Sequence, residues 1–492
     1  MTVHLRALAT HLPAWGTVRI RLGGPDEDAV TLAVAAGRAA LAAAGDTGQA
    51  GGVDRAGPTD SAGAADTAGE AGWADLVERV VLVTRDVPLL AGGSTAVLLA
   101  GLDLPDSVPA VQILGGAPAA LDAVTGAQPG TLVIGVDVAG AAGAGAGAAL
   151  VGDAGTALRP LARCDRSLPV LVRDDHGRVS DYADARLLRD RGLHANLARL
   201  ALPDRPIAVA GLTGNEAKAV TAGGAGSTPA PTTGASAVFF ALAGVIGQAE
   251  AGPVLAVEQA TLVAAAVEPA PATATAATPA PQTQTQTQTQ TAAQAPAPTR
   301  TALAVHAPAP RALPVRRMSS EAQIAISLPA YERAFEAKVR LRAGRCGTCG
   351  TLSLPPRSRC LECGVEGSPE LVALPREATV YSAVTINVPV PGLATPYSLA
   401  LVELGDSGVR LLTHVTDAEP GAVAIGDRGR VLLRRVAIRS GVPDYGYAFA
   451  PSKPTPEPAP EPAAAEASVP LPVPATLKPT SSAGPVSREV QG

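Results

Sequence analysis

Short apolar runs alternate with alanine-rich segments through the first 268 residues of the chain. The runs are shorter than a typical helix, and Gly, Pro or charged residues flank them, which is typical of buried strands. They are RVVLVT (79–84), VQIL (111–114), TLVIGVDV (131–138), PIAVAG (206–211) and PVLAVE (253–258). Strands that alternate with helices favour an α/β fold in which helices cover the sheet.

Two details of this region carry structural predictions. Asp26, Glu27 and Asp28 are expected to open a helix, because their charge suits the positive end of its dipole, and Gly45 is expected to close it. The segment that holds Gly143, Gly145 and Gly147 does not fit the dinucleotide-binding pattern G-x-G-x-x-G. We expect a flexible loop there.

The pattern changes in residues 320–450. A short helix is expected in PAYERAFEAKVR, and the β-rich runs that follow it are separated by Gly, Pro and Asp turns. These runs are TVYSAVTINV, YSLALVEL, VRLLTHV and RGRVLLRRVAI. They predict a small antiparallel β-barrel.

Low-complexity stretches separate these regions. The repeat QTQTQTQTQT (282–291) lies in a Pro/Ala/Thr-rich stretch that has almost no large aliphatic residue to build a core. The expected organisation is an α/β domain at 1–268 with a flexible insert at 46–72, a disordered linker at 269–319, a helix with a metal ribbon at 320–370, the barrel at 371–450 and a disordered tail at 451–492.

Composition narrows the function classes. The 492 residues carry a net charge of −5, which argues against the basic surface of a nucleic-acid binder. No apolar run reaches the roughly 18 to 20 residues of a membrane-spanning helix, and the N-terminal segment does not look like a signal peptide. We expect a soluble cytoplasmic protein with no membrane partner.

Four of the five cysteines follow the pattern Cys346-x2-Cys349-x10-Cys360-x2-Cys363, with glycine after each pair. Each CxxC turn presents two thiolates, so two turns complete a tetrahedral Zn²⁺ shell, or an iron shell in its place. Structural disulfides and a redox CxxC are the alternatives, and both fit a cytoplasmic protein less well. A shell of four thiolates leaves no open position, so the metal is expected to be structural. Cys164 stands alone and is expected to be a small core residue.

With these knuckles and β-runs, residues 325–450 resemble the acyl-CoA-associated OB-fold proteins that carry a rubredoxin-like zinc ribbon. The resemblance rests on a helix with Tyr331 and Phe335, the two knuckles with PPR between them, and the barrel runs. It implies a scaffold for a thiolase or acyltransferase subunit and an acyl-CoA-channelling role. An OB barrel can also bind single-stranded nucleic acid. Its basic residues are Arg428, Arg430, Arg434, Arg435 and Arg439.

The first domain is similar to thiolase-like condensing enzymes of the hydroxymethylglutaryl-CoA synthase and ketoacyl synthase III type. The segments LPAWGTVRIRLGGPDEDAVTLAVAAGRAALAAAG, RVVLVTRDVP, ALVGDAGTAL and TGASAVFFALAGVIGQAEAGPVLAVE carry this resemblance. It implies a duplicated five-layer α/β/α/β/α sandwich, possible acyl-CoA binding and a possible homodimer.

The same resemblance implies a catalytic cysteine at the start of a buried helix, with a histidine nearby. The corresponding segment, VQILGGAPAALDAV, offers Gly115, Gly116 and Ala117, and no histidine occurs between His194 and His306. Asp86 is a weak candidate for the acid.

Other polar residues are poor substitutes for the missing cysteine and histidine. His176 and His194 lie in a polar stretch that favours solvated surface, and Ser94 and Ser236 lack the G-x-S-x-G pattern of a nucleophile elbow. We therefore assign no catalytic residue.

Three functional hypotheses follow. The first is an acyl-CoA-binding accessory or scaffold protein whose thiolase-like domain lacks the usual Cys/His pair. The second is an active hydroxymethylglutaryl-CoA synthase-like acyltransferase with a rearranged site. The third is a single-stranded nucleic-acid-binding OB protein. Whether the chain is an enzyme is left open by the sequence.

Overall fold

The computed structural model describes residues 1–46, 73, 75–86, 93–138, 143–166, 168, 171–173, 178–182, 184–221, 230–269, 300–313, 316, 326–388 and 394–452. The insert expected at 46–72 and the tail expected at 451–492 lie almost wholly outside these ranges. Residues 270–299 of the expected linker lie outside them as well, and so does His176.

The strands of the first part of the chain join mainly into one ten-stranded mixed sheet. They are β1 (Val3–His11), β2 (Trp15–Gly16), β3 (Arg21–Leu22), β4 (Arg79–Thr84), β5 (Ala110–Leu114), β6 (Thr131–Asp137), β7 (Gly145–Gly152), β8 (Thr156–Asp165), β9 (Leu171–Arg173), β10 (Val179–Asp181), β11 (Ala208–Ala210), β12 (Gly252–Glu258), β13 (Thr261–Glu268) and β14 (Ala302–His306). The sheet order is β11-β12-β13-β8-β1-β7-β6-β4-β5, and β14 pairs with β1. The pairs β2–β3 and β9–β10 are separate hairpins.

One half of this sheet repeats the strand order of the other. In the first half β4 is parallel to β6, whereas β6–β7 and β7–β1 are antiparallel. In the second half β11 is parallel to β12, whereas β12–β13 and β13–β8 are antiparallel. The halves meet where β1 pairs with β8. This is the duplication that the resemblance to thiolase-like enzymes implies. Only the first half has a further described strand, β5, at its edge.

Helices complete the layers. They are α1 (Ala29–Asp46), α2 (Gly93–Gly101), α3 (Ala117–Thr125), α4 (Ala185–Leu187), a π-helical segment (Leu188–His194), α5 (Ala195–Leu200), α6 (Gly214–Val220) and α7 (Ala237–Gly247). α1 and α2 cover the outer face of the first half, α3 and α7 lie between the halves, and α5 and α6 cover the outer face of the second half. The five expected layers are confirmed.

Local sequence explains most of these elements, with two corrections. Asp28 caps α1 as expected, since its Oδ1 accepts from the backbone N–H groups of Val30 and Thr31 at 3.0 Å, but the helix continues through Gly45. The glycine-rich segment forms strand β7 rather than a flexible loop. A Cβ at Gly147 would lie 2.6 Å from Phe239 Cγ, so glycine lets this ring pack directly on the strand.

The expected disordered linker at 269–319 is wrong for residues 300–311, here called the strap, because they include strand β14. Strand β14 runs parallel to β1 and pairs with its second half, from Ala7 to His11. β8 pairs only with Val3 to Leu5, so the rest of that edge of β1 is open to another strand. The strap satisfies the free backbone groups there, a requirement that residue composition does not reveal.

The C-terminal module, residues 326–452, has a helix, a ribbon and a barrel. Its elements are α8 (Leu328–Lys338), β15 (Arg342–Arg345), β16 (Leu352–Ser353), β17 (Glu370–Ala373), β18 (Glu377–Ile386), β19 (Tyr397–Leu404), β20 (Arg410–His414), β21 (Arg428–Arg439) and β22 (Val442–Pro451). The ribbon order is β16-β15-β17 and the barrel order is β20-β19-β18-β21-β22. A bridge from Val415 to Phe449 joins the first and last barrel strands. The expected barrel is confirmed.

The module packs on α1 and α2 and shares one hydrophobic core with them. Leu433 of β21 lies over Gly101, where a Cβ would be only 2.9 Å from Leu433 Cδ2. Tyr445 and Phe449 are among the largest side chains that this core buries completely. None of the described helices combines the length and the apolar character that crossing a membrane needs.

Candidate metal centre and domain junction

The two CxxC turns have matching backbone geometry. The amide of Cys346 donates to the carbonyl of Thr351, and the amide of Gly350 donates back to the carbonyl of Cys346. Cys360 and Gly364 make the same pair of bonds in the second turn. Gly350 and Gly364 have φ angles of +76° and +72°, where a side chain would be strained. The glycines that follow each cysteine pair therefore close the turns, as the sequence predicts.

The four cysteine sulfurs converge on one point. Cys346 Sγ lies 3.7 Å from Cys363 Sγ, and Cys349 Sγ lies 3.5 Å from Cys360 Sγ. All four sulfurs lie within 4.8 Å of one another. Four thiolates about 2.3 Å from a tetrahedral zinc ion would be separated by about 3.8 Å, so the donor set fits zinc. A disulfide would require a separation of about 2.05 Å.

Local hydrogen bonds lower the pKa values of two of the four cysteines. The pKa of Cys349 is lowered to about 6, chiefly by its hydrogen bond with the Thr351 hydroxyl 3.2 Å away. The pKa of Cys346 is also lowered, chiefly by the backbone N–H groups of Cys349 and Thr348. Metal binding needs the thiolate form, which these hydrogen bonds favour at Cys346 and Cys349. The pKa of Cys363 is instead raised to about 12, because the backbone N–H of Val365 lowers it less than desolvation and the three neighbouring cysteines raise it.

A second candidate site lies at the start of α3, where the thiolase-like resemblance implies a nucleophile. Gly116 is the N-cap of this helix, and Ala117 is fully buried. A Cβ at Gly116 would lie 2.7 Å from Glu258 Cδ. Arg85 holds the Glu258 carboxylate, with its Nε at 2.9 Å and its Nη2 at 2.7 Å from Oε1. A carboxylate therefore lies where a side chain at Gly116 would have to go.

The remaining candidates do not gather around the start of α3. Cys164 is buried in the cluster beneath the π-helical segment, whereas His194 is exposed at the end of that segment. Asp86 accepts from the backbone amide of Val138 at 2.8 Å. Ser94 is buried in α2.

Ser236 has a structural role at the start of α7. Its Oγ lies 2.5 Å from Asp137 Oδ2, and the backbone amides of Ala235 and Ser236 donate to the same carboxylate at 2.9 Å. Burial raises the pKa of Asp137, and these hydrogen bonds oppose that rise. The arrangement resembles a helix cap more than an activated serine, because no histidine contacts Ser236 among the described residues.

The acidic residues at the start of α1 and after α2 contact the C-terminal module. Arg434 Nη2 lies 3.4 Å from Glu27 Oε1, and both side chains are at most 3% exposed. Tyr445 donates to Asp28 Oδ2 at 2.8 Å. Arg376 donates to both oxygens of Asp103 at 2.8 Å. We refer to these contacts as the domain junction.

Two further arginines of the C-terminal module extend the junction, and none of these contacts was predicted from the sequence. Arg340 pairs with Asp106 and donates to the carbonyl of Leu104 at 3.2 Å. Arg435 donates through its backbone amide to the carbonyl of Asp26 at 2.8 Å and through its Nη2 to that of Pro25 at 3.0 Å. A complementary charge pattern was present in the chain, but only the fold pairs residues some 400 positions apart.

Burial changes the acid–base behaviour of this junction. The pKa of Glu27 is raised to about 7, because burial removes water from the carboxylate, and Arg434 opposes this rise. Three arginines of the basic cluster noted in the sequence bind groups of this same chain, at the junction or near it. Arg434 and Arg435 contact the N-terminal domain, Arg439 pairs with Asp444 at 2.9 Å, and Arg428 is exposed.

Comparison with known proteins places the C-terminal module. Residues 336–368 match the family model of the ChsH2 rubredoxin-like zinc ribbon domain, and residues 371–434 match that of the ChsH2 C-terminal OB-fold domain. A DUF35 domain-containing scaffold protein of Methanothermobacter thermautotrophicus is 30% identical over 123 residues, which cover 92% of that protein and 24% of this chain. The chain belongs to the DUF35 family.

Further relatives of this DUF35 chain include a thiolase subunit. The benzoylsuccinyl-CoA thiolase subunit BbsA of Thauera aromatica is 32% identical over 110 residues, which cover 74% of that subunit and 22% of this chain. Among solved structures, PksG, an HMG-CoA synthase from Bacillus subtilis, is 14% identical with a TM-score of 0.39, and the match covers 55% of this chain and 80% of that one. The DUF35 relatives support an accessory partner in a thiolase-like system.

Proposed function

We propose that this DUF35 chain is an acyl-CoA-binding accessory or scaffold protein for a thiolase or hydroxymethylglutaryl-CoA synthase-like acyltransferase. The observation that carries the proposal is the pairing of a DUF35 module with a thiolase-like domain in which Gly116, the N-cap of α3, lies against the Glu258 carboxylate. The module supports the scaffold role, and the start of α3 supports the absence of the usual catalysis.

The chemistry at the start of α3 supports a site without a nucleophile. Gly115, Gly116 and Ala117 carry no thiol or hydroxyl. The Glu258 carboxylate lies next to the helix N-terminus, where a thiolate or an acyl-thioester oxygen would otherwise benefit from the helix dipole. A second negative charge there would oppose thiolate formation.

The zinc ribbon has a structural role in this proposal. Its four cysteines form a complete shell, and the ribbon strand β15 follows directly from α8. Bound zinc would fix the two knuckles relative to each other. The metal therefore shapes a docking element and leaves no open coordination position for substrate.

The proposal also includes a ligand, a partner subunit and an oligomeric state. Acyl-CoA is the ligand class that the thiolase-like fold favours, and a thiolase or acyltransferase subunit is the partner. The edge strand β5 supports homodimer formation through the thiolase-like domain, because Val111 and Leu114 are 45% and 73% exposed and β4 is the only described strand that pairs with β5.

Catalytic assays test the proposal directly. The purified full-length chain is incubated with acetyl-CoA and acetoacetyl-CoA, and turnover and covalent acyl-enzyme are measured, the latter by intact mass. We expect neither product nor mass increase. Robust turnover by the chain alone would overturn the proposal and favour the rearranged acyltransferase. In that case Cys164→Ser and His194→Gln would identify which residue carries the activity.

The contacts of Arg434 at the junction argue against nucleic-acid binding by the barrel. Arg434 is 3% exposed and is paired with acids of the same chain, so it is not available to a phosphate backbone. A titration with a fluorescent 20-nucleotide single strand at low salt gives a direct check. Tight binding that weakens steeply with salt would revive the nucleic-acid hypothesis.

A further inference from the structure

The strap is fixed to the N-terminal domain along its whole length. Thr301 donates through Oγ1 to the carbonyl of Leu5 at 2.7 Å, and the amide of Leu12 donates to the carbonyl of His306 at 2.9 Å. Beyond β14, the amide of Arg311 donates to the carbonyl of Ala14 at 2.9 Å. The strap belongs to the longest described stretch of the chain between strand β13 and helix α8.

The same strap also contacts the domain junction. Arg311 Nη1 donates to the carbonyl of Asp417 at 2.6 Å, and the Asp417 carboxylate accepts from Arg434 Nη2 at 2.7 Å. Arg434 in turn faces Glu27. The position of the strap and the ion pairs of the junction are therefore linked through shared residues.

Two histidines stack where the strap lies on β1. His11 and His306 are register partners in the parallel pair β1–β14. Their ring centroids are 4.7 Å apart and the rings are nearly parallel, at 9°. Flat stacking at this distance suits neutral rings, and two imidazolium ions in the same place would repel each other.

The charges around this pair are mainly positive. Arg434 of β21 and Arg21 of β3 act on it, and Asp417 is the acid that faces His306. Arg21 donates to the carbonyls of Pro13 and Pro308 and so lies between β1 and the strap. Arg434 binds Asp417 Oδ2 at 2.7 Å, whereas Oδ1 is buried without a hydrogen-bond partner among the described residues, so Asp417 offsets part of the repulsion that a protonated His306 meets from the two arginines.

The acid–base properties agree with this geometry. The pKa of His11 is held well below its usual range by burial, with smaller contributions from His306 and Arg434. Desolvation by the surrounding atoms also lowers the pKa of His306, although its side chain remains exposed on one side, and Asp417 opposes the change. Both rings are therefore neutral at neutral pH.

We propose that the stacked His11–His306 pair makes the strap an acid-sensitive latch between the sandwich and the DUF35 module. Protonation places one or two positive charges beside Arg21 and Arg434, and the strap separates from β1. The contact of Arg311 with Asp417 is lost with it. The sandwich keeps its other strands, because β1 remains paired with β7 and β8.

The direction and size of the effect follow from proton linkage. A histidine whose pKa is lowered in the closed form binds its proton when the strap opens, so opening becomes more favourable as pH falls below about 6.5. A histidine that stays neutral in the closed form raises the opening constant at pH 5.5 by at most about tenfold. Two such histidines together give at most about a hundredfold increase relative to pH 8.

Hydrogen exchange of the full-length protein tests the latch. Amide exchange in residues 302–306 is measured at pH 8 and pH 5.5 and corrected for the intrinsic rate, with residues 131–137 of β6 as an internal reference. We expect strap opening to increase at pH 5.5, by at most about a hundredfold, and β6 to stay protected. Equal corrected exchange at the two pH values, or exchange of β6 in step with the strap, would overturn the proposal.

Variants separate the histidines from general acid destabilisation. His306→Phe keeps a flat ring without a titrating group, and its pH response should be smaller than that of the wild type, at most about tenfold. His11→Phe should do the same, which keeps the test informative if one variant folds poorly. His194→Phe, at an exposed position outside the strap, serves as the control and should keep the full response. A full response in both strap variants would contradict the latch.

Discussion

Tyr445 of the barrel donates a hydrogen bond to Asp28, the residue that caps helix α1, across the junction between the two parts of the chain. The two residues are 1% and 4% exposed. One carboxylate thus starts a helix in the sandwich with Oδ1 and anchors the DUF35 module with Oδ2. Stability of the helix start and docking of the module are coupled through a single side chain.

Removing this hydroxyl should weaken the junction. In Tyr445→Phe the ring still fills its place, but the buried Asp28 Oδ2 loses its donor. Hydrogen bonds to charged groups contribute about 1.5 to 3 kcal/mol, so we expect the free energy of unfolding to fall by a similar amount. Urea denaturation of the wild type and the variant measures this difference in the free energy of unfolding. Tyr182→Phe, at an exposed tyrosine, should change little, and an equal loss in both variants would argue against the contact.

Arg434 should be the most sensitive position of the junction. Replacement by Met leaves the buried Glu27 carboxylate without its cationic partner, and among the described residues only the backbone amide of Gly24 still donates to it, at 2.7 Å. Breaking a buried ion pair in this way typically costs about 3 to 5 kcal/mol. The exposed pair Arg410–Glu403 provides the control, because solvent screens it and Arg410→Met should therefore cost far less than Arg434→Met. Both variants are compared by denaturant unfolding at pH 7.5. Similar losses would show that burial of the pair has no effect.

The pH dependence of Glu27 can be separated from that of the histidines. Its pKa in the folded chain is about 7, above its usual value of 4.5, so its contribution is full below pH 4.5 and is lost as pH rises through 7. Glu27→Gln cannot ionise. Relative to the wild type, the variant should gain roughly 2 to 3 kcal/mol between pH 5 and pH 8. A constant difference in unfolding free energy across this range would contradict the shift.

Metal removal should unfold the ribbon but leave the sandwich. We expect about one zinc ion per chain by elemental analysis, and its loss in Cys346→Ser. Hydrogen exchange should then rise in residues 342–373, whereas β6 stays protected. Cys164→Ser removes the buried cysteine outside the cluster and should keep its zinc. A full complement of zinc in Cys346→Ser would exclude the four-cysteine site.

A double-mutant cycle tests the closed start of α3. Gly116→Ala places a methyl group against the Glu258 carboxylate and should cost about 1 to 3 kcal/mol. Glu258→Ala should restore most of that loss when the two changes are combined. Gly244→Ala, where nothing lies within 4 Å of the new methyl group, serves as the control. Additive effects in the cycle would mean that Glu258 does not block the position.

The buried strands and the four-cysteine site could be predicted from the sequence because both depend on residues that are close together in the chain. A continuous apolar run such as TLVIGVDV is long enough to identify a buried strand, and it forms β6. The spacing of Cys346, Cys349, Cys360 and Cys363 already contains the knuckle geometry, since each turn closes on its own glycine. The thiolase-like layering followed from the resemblance rather than from these patterns.

The junction and the strap were decided only by the tertiary structure. Asp26, Glu27 and Asp28 look like ordinary residues of a helix start, and their arginine partners look like a basic patch, because sequence gives no distance between positions 27 and 434. The strap has the composition of a linker, yet it forms β14 because part of the edge of β1 is left without a partner. Local patterns fix helices, turns and ligands, whereas buried ion pairs and strand edges depend on what the fold brings together.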